Sequence, residues 1–94
     1  MDFNSFSHSL LDDFPPQYIS AYLQALWYDA KGDWEKAHEI AQNIETTDGS
    51  LIHAYLHRKE GDLSNAGYWY IKAKSSLPDT PIETEWEELV RKFL

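Results

Sequence analysis

Apolar side chains recur at helical spacing along most of the chain, with polar residues filling the intervals. Trp34, Ala37, Ile40, Ala41 and Ile44 fall on one stripe of a helix over about Trp34–Glu45, and Glu35, Lys36, Glu39, Gln42 and Asn43 take the other side. Upstream, residues 16–31 read as a helix opened by Pro15-Pro16, because proline in a first turn loses no intrahelical bond. Apart from a narrow stripe of Gln17, Ser20, Gln24 and Lys31, its surface is apolar: Tyr18, Ile19, Tyr22, Leu23, Leu26 and Trp27 among others. Such a helix is central in a fold or packs against a second chain. A third helix is predicted over about Ser50–Glu60. A fourth runs over about Leu63–Ser76, with Leu63, Ala66, Tyr70, Ala73 and Leu77 on one face and Pro78 just after its end. In the last helix, Ile82, Trp86, Leu89, Val90 and Phe93 make one apolar stripe, and Thr80-Pro81-Ile82-Glu83 has the form of a capping box. Its early glutamates and its late Arg91 and Lys92 both suit the helix dipole.

Punctuation divides these helices into pairs. Gly32-Asp33 and Gly61-Asp62 each offer a glycine to end one helix in a left-handed conformation and an aspartate to cap the next. Thr46 to Ser50 has turn composition, with Thr47 or Asp48 as the expected cap. The first fourteen residues read as a weakly specified lead-in, tucked down by Phe3, Phe6 and Phe14. The expectation is one all-α domain over 1–94: the lead-in 1–14, antiparallel hairpins over 16–45 and 48–77, and a C-terminal helix over 80–94 that folds back over the stack. Tyr68 and Ile71 lie off the core stripe of the fourth helix and are expected to be covered by the last one.

The two Gly-Asp turns also align as an internal repeat. Lys31-Gly32-Asp33-Trp34-Glu35-Lys36-Ala37 lies against Glu60-Gly61-Asp62-Leu63-Ser64-Asn65-Ala66. Together with Ala54, Tyr70, Ala73 and Pro78, the second copy resembles a tetratricopeptide repeat; the first matches through Ala25, Gly32, Trp34 and Ala37. The chain is similar, too, to small uncharacterised bacterial helical proteins. The resemblance implies a right-handed stack of two hairpins with a C-terminal capping helix. It also implies a concave binding face lined by Ile19, Tyr22, Leu26, Asp29, Leu51, Tyr55 and Arg58. A peptide would lie there with a carboxylate on Arg58. The alternative is that the lead-in or the last helix fills the same groove.

Charge narrows the partners. Sixteen acidic and eight basic side chains give a formal net charge of −8. That opposes binding to nucleic-acid phosphates and to anionic membrane surfaces. There is no cysteine, so disulfides, thiol catalysis and cysteine metal sites are excluded. No stretch is apolar enough for a transmembrane helix, and the first thirteen residues carry no Lys or Arg; the default expectation is a cytoplasmic protein.

Little in the sequence suggests catalysis. There is no G-x-S-x-G elbow and no glycine-rich phosphate loop. The one chemical constellation is His53, His57 and Glu60, at i, i+4 and i+7 on one face of the third helix, with His38 on the preceding helix as a further ligand. Imidazoles and a carboxylate together suit zinc, although no HExxH arrangement places a base between the histidines. The leading expectation is a non-catalytic module that binds a protein or peptide or self-associates, with no cofactor. The alternatives are a metal-binding protein or small metal-dependent enzyme centred on the histidines, and a homo-oligomeric structural protein.

Overall fold

The computed structural model describes residues 1–94. They form six α-helices and no strand: α1 (Phe3–His8), α2 (Ala21–Ala30), α3 (Trp34–Gln42), α4 (Thr47–Glu60), α5 (Leu63–Lys72) and α6 (Ile82–Phe93). A 3-10 turn, Ser9–Leu11, continues α1. No helix is long and apolar enough to cross a membrane.

The two Gly-Asp turns are near copies of one another. Gly32 and Gly61 both take the left-handed conformation, with φ of 88° and 91°. The amide after each glycine returns to the carbonyl five residues back, Asp33 to Tyr28 and Asp62 to His57. The two aspartates then cap α3 and α5 by accepting from the amides of Lys36 and Asn65. Glycine removes the steric cost of ending the helix this way, and the aspartate satisfies an amide that the new helix leaves free. In consequence α2 packs on α3 and α4 on α5, while α3 lies against α4.

Several boundaries depart from the sequence reading. The first hairpin helix begins at Ala21 rather than Pro16. Consecutive prolines hold the preceding backbone extended, Tyr18 adopts a positive φ of 67°, and the Ser20 hydroxyl provides the cap by accepting from Leu23. Tyr18, expected in that helix, is fully exposed. At the other hairpin, α4 starts three residues early: Thr46 Oγ1 accepts from the Gly49 amide at 2.9 Å. Gly49 is therefore a helical residue, and it allows the Ile44 backbone to cross close above it. Helices α3 and α5 stop short of Glu45 and Ser76, α5 at a left-handed Lys74. The capping box at α6 does not form: Pro81 is the cap residue, no side chain caps the helix, and Thr80 Oγ1 is buried without a partner.

One core joins the layers. Phe6 from α1, Leu26 and Trp27 from α2, Ala37 from α3, Ile52, Tyr55 and Leu56 from α4, and Leu89 and Val90 from α6 bury together. Phe3 and Phe6 do fasten the lead-in, both packing on Trp86, and the Trp27 indole donates to Ser9 Oγ; Phe14 stays exposed. Helix α6 lies against α2 and α4, not over α5. Tyr68 and Ile71 consequently remain 55% and 76% exposed, without the cover expected for them.

Candidate metal centre

The surface expected to form a concave groove is the bed of α6. Leu26, Asp29 and Tyr55 are buried, while Ile19, Tyr22, Leu51 and Arg58 are half-buried. Tyr22 stacks on Phe93 at 4.5 Å, and the Trp86 indole donates to the Leu26 carbonyl at 3.0 Å. Arg58 does meet a carboxylate, but it is Glu85 of α6, at 2.9 Å. The physical reason is that α6 carries a continuous apolar stripe, and α2 and α4 present the largest apolar surface on which to bury it. Asp29, placed at the groove wall, instead accepts from the Tyr55 hydroxyl at 2.6 Å and from Lys59 at 2.9 Å.

The histidines converge on the opposite side of α4. His53 and His57, one turn apart, point toward α3, where His38 sits one turn after Trp34. Their rings lie 4.6–5.0 Å apart, centre to centre. His38 Nε2 and His53 Nε2 are 2.9 Å apart, and one ring nitrogen from each of the three histidines falls within 4.8 Å of the others. Trp34 stacks on His38 at 4.9 Å, and Trp69 from α5 stacks on His53 at 3.9 Å. Two indoles thus fix two of the imidazoles.

Glu60 takes a different place from the one expected. Its Oε2 meets His57 Nδ1 at 2.6 Å, so it orients the third imidazole from behind instead of joining the other ring nitrogens. Asn65 Nδ2 of α5 stands 3.4 Å from the other ring nitrogen of His57, Nε2. Burial, followed by the neighbouring His38 and His57, pushes the His53 pKa down to about 4. His38 is lowered as well, first by burial and then by His57. Both imidazoles are therefore neutral at pH 7 and keep the lone pair a metal needs.

Zinc bound by imidazole has metal–nitrogen distances of about 2.0–2.1 Å in a tetrahedron, which sets ligand nitrogens about 3.3 Å apart. His38 and His53 would separate by a few tenths of an ångström to reach that spacing, and His57 would close in. An all-nitrogen set suits zinc, copper, nickel or cobalt and disfavours calcium and magnesium, which take oxygen ligands.

All four residues of the sequence-derived metal set are here, with Glu60 one shell further out. The sequence reading missed Trp34, Trp69 and Asn65. Trp34 was within reach of it, since Trp34 and His38 are four residues apart on one helix; Trp69 comes from α5, sixteen residues after the His53 it stacks on, and carries no local signal. Comparison of the chain with protein-family models, with curated proteins and with solved structures gives no match.

Proposed function

We propose that this protein binds one divalent late transition-metal ion through His38, His53 and His57, with Glu60 holding His57 in register. The observation that carries the reading is the convergence of three imidazoles from two helices, one backed by a carboxylate. A ligating histidine whose second nitrogen meets a carboxylate is the recurring arrangement of protein metal sites. The role we assign is binding, since Glu60 is tied to His57 as its orienting carboxylate.

We read the frame as a two-repeat, tetratricopeptide-like array. The near-identical hydrogen bonding of the two Gly-Asp turns, 29 residues apart from Gly32 to Gly61, supports that reading. In this frame His38 and the pair His53 and His57 sit on facing helices of successive hairpins, so a bound ion would pin the hairpins together.

Titration of purified protein with Zn2+ or Ni2+ tests the proposal. The expected result is a stoichiometry of one, lost in His38→Ala and in His53→Ala/His57→Ala, and kept in His8→Ala, whose ring is exposed on α1. Cu2+ should quench tryptophan fluorescence through Trp34 and Trp69. Equal binding by the wild type and the cluster variants would overturn the reading.

A second reading, self-association, is favoured by the outer face of α5. Leu63 and Ile71 stand exposed four residues to either side of Gly67. Two copies crossing antiparallel at Gly67 would set Leu63 of one against Ile71 of the other, a self-complementary contact.

A further inference from the structure

Helix α6 and the lead-in do not fill the bed between α2 and α4 completely. They leave a cavity of about 250 Å³ near the start of α6. Its walls are apolar: Leu10 from the lead-in, and Ile82 and Trp86 from α6. At its polar end stand Asp29, Tyr55 and Lys59, and Glu83 stands at its edge. Ligand pockets combine an apolar lining with a few placed polar groups in this way. The volume lies just below the roughly 300 Å³ at which drug-sized sites begin, which limits the ligand to a small molecule.

We propose that this cavity binds a small amphipathic organic cation, an alkyl- or arylamine whose ammonium pairs with Asp29 while its apolar body lies against Leu10, Ile82 and Trp86. Asp29 is 1% exposed, and a carboxylate so deeply buried needs a cation and hydrogen-bond donors. Tyr55 supplies one donor to Oδ2, and Lys59 supplies the cation at Oδ1. With both oxygens engaged and the carboxylate closed to solvent, a ligand ammonium would take the position of Lys59 at Oδ1.

Lys59 is the group the ligand would displace. Its side chain is 39% exposed and reaches Asp29 from the surface of α4. An ammonium on an apolar body makes the same pair and also removes apolar wall from water, which Lys59 does not do. The sign of the charge is set by the same residues. Asp29 and Glu83 repel an anion, and a neutral alcohol leaves the carboxylate no better paired than before. Burial, and then the charge of Asp29, drive the Tyr55 ionisation upward, so its hydroxyl remains a donor to Asp29 across the physiological range. Nothing here involves the histidine cluster, so the two proposals stand or fall separately.

The test uses three probes of one shape: 2-phenylethylamine, 2-phenylethanol and phenylacetate. NMR titration of the intact protein should show saturable shifts of the Trp86 indole and Ile82 methyl resonances with the amine. The alcohol should bind roughly tenfold more weakly, the loss of one charged hydrogen bond, and the carboxylate not at all. Lys59→Met should tighten amine binding by removing the competing ammonium. Leu10→Trp should fill the cavity and abolish binding while circular dichroism and the thermal midpoint stay those of a folded protein. Equal affinity for the amine and the alcohol would overturn the proposal. So would amine shifts that survive Leu10→Trp, which would mark adventitious pairing with surface carboxylates. If Lys59→Met fails to fold, the probe series and Leu10→Trp still decide between these outcomes.

Discussion

Gly49 and Gly67 both lie inside helices, and they differ in what stands over the missing side chain. A Cβ on Gly49 would overlap the Ile44 carbonyl oxygen and lie 2.8 Å from the Ile44 Cβ, whereas one on Gly67 would meet nothing within 4 Å. Alanine should therefore act in opposite directions at the two sites. Gly49→Ala forces the α3–α4 connection off α4 and is expected to cost about 1–3 kcal/mol. Gly67→Ala removes backbone freedom from the unfolded chain at no steric cost and should stabilise by about 0.5–1 kcal/mol. Urea denaturation of the two variants checks the pair; a loss at Gly67 or no loss at Gly49 contradicts the packing described. The same contrast shows what local composition can convey. Thr46-Thr47-Asp48-Gly49-Ser50 looks like a turn because its residues favour turns. The fact that decides Gly49 is the Ile44 backbone crossing overhead, five residues upstream and just outside that stretch.

At the level of elements, the sequence was most informative where local chemistry alone decides the structure. Gly32-Asp33 and Gly61-Asp62 each combine a residue that ends a helix with one that starts the next, and both turns form as predicted. Pro15-Pro16 misled because proline permits a helix start without requiring one, and the Ser20 cap lay five residues further on. The pairing of faces was less legible. An amphipathic stripe says that α6 must bury one side, but not which neighbour receives it, and α5 was left uncovered as a result. Self-association through α5 makes a definite prediction at this scale. Sedimentation should show a monomer–dimer equilibrium, and Ile71→Glu should shift it to monomer by setting an unpaired carboxylate against Leu63 of the other copy at each end of the contact. A wild-type protein that is strictly monomeric at high concentration removes this reading and leaves the metal site untouched. The histidine cluster shows both halves of the lesson. Its two members on α4 are legible as i, i+4, and His38 stands on the adjoining helix as the further ligand. Of the indoles that fix the rings, Trp34 shares the helix of its imidazole, whereas Trp69 reaches His53 through the pairing of α4 with α5.

Across the whole molecule, the buried polar groups that tie α2 to α4, and α6 to α4 and α5, also set a limit on stability at high pH. Tyr70 donates to both oxygens of Glu85, which pairs with Arg58, and Tyr55 donates to Asp29. Both tyrosines are buried, and both hydroxyls face carboxylates. Burial raises the ionisation of each above its ordinary value of 10.0, and the adjacent Asp29 or Glu85 adds to the effect. In the unfolded chain these two phenols would lose their protons near 10, while in the folded chain they keep them. Above that pH the unfolded state binds fewer protons than the folded one, so stability falls as pH rises. Below about 10 the contribution is complete, and it is lost progressively as the pH climbs toward the folded-state values. Denaturant unfolding between pH 8 and pH 11.5 should therefore show a plateau followed by a decline. Tyr55→Phe or Tyr70→Phe should each reduce the slope of that decline by roughly half while lowering stability at pH 8, since each variant removes one of two linked protons and one hydrogen bond to a buried carboxylate. A decline whose slope is the same in both variants as in the wild type would locate the alkaline sensitivity elsewhere, away from these two buried phenols.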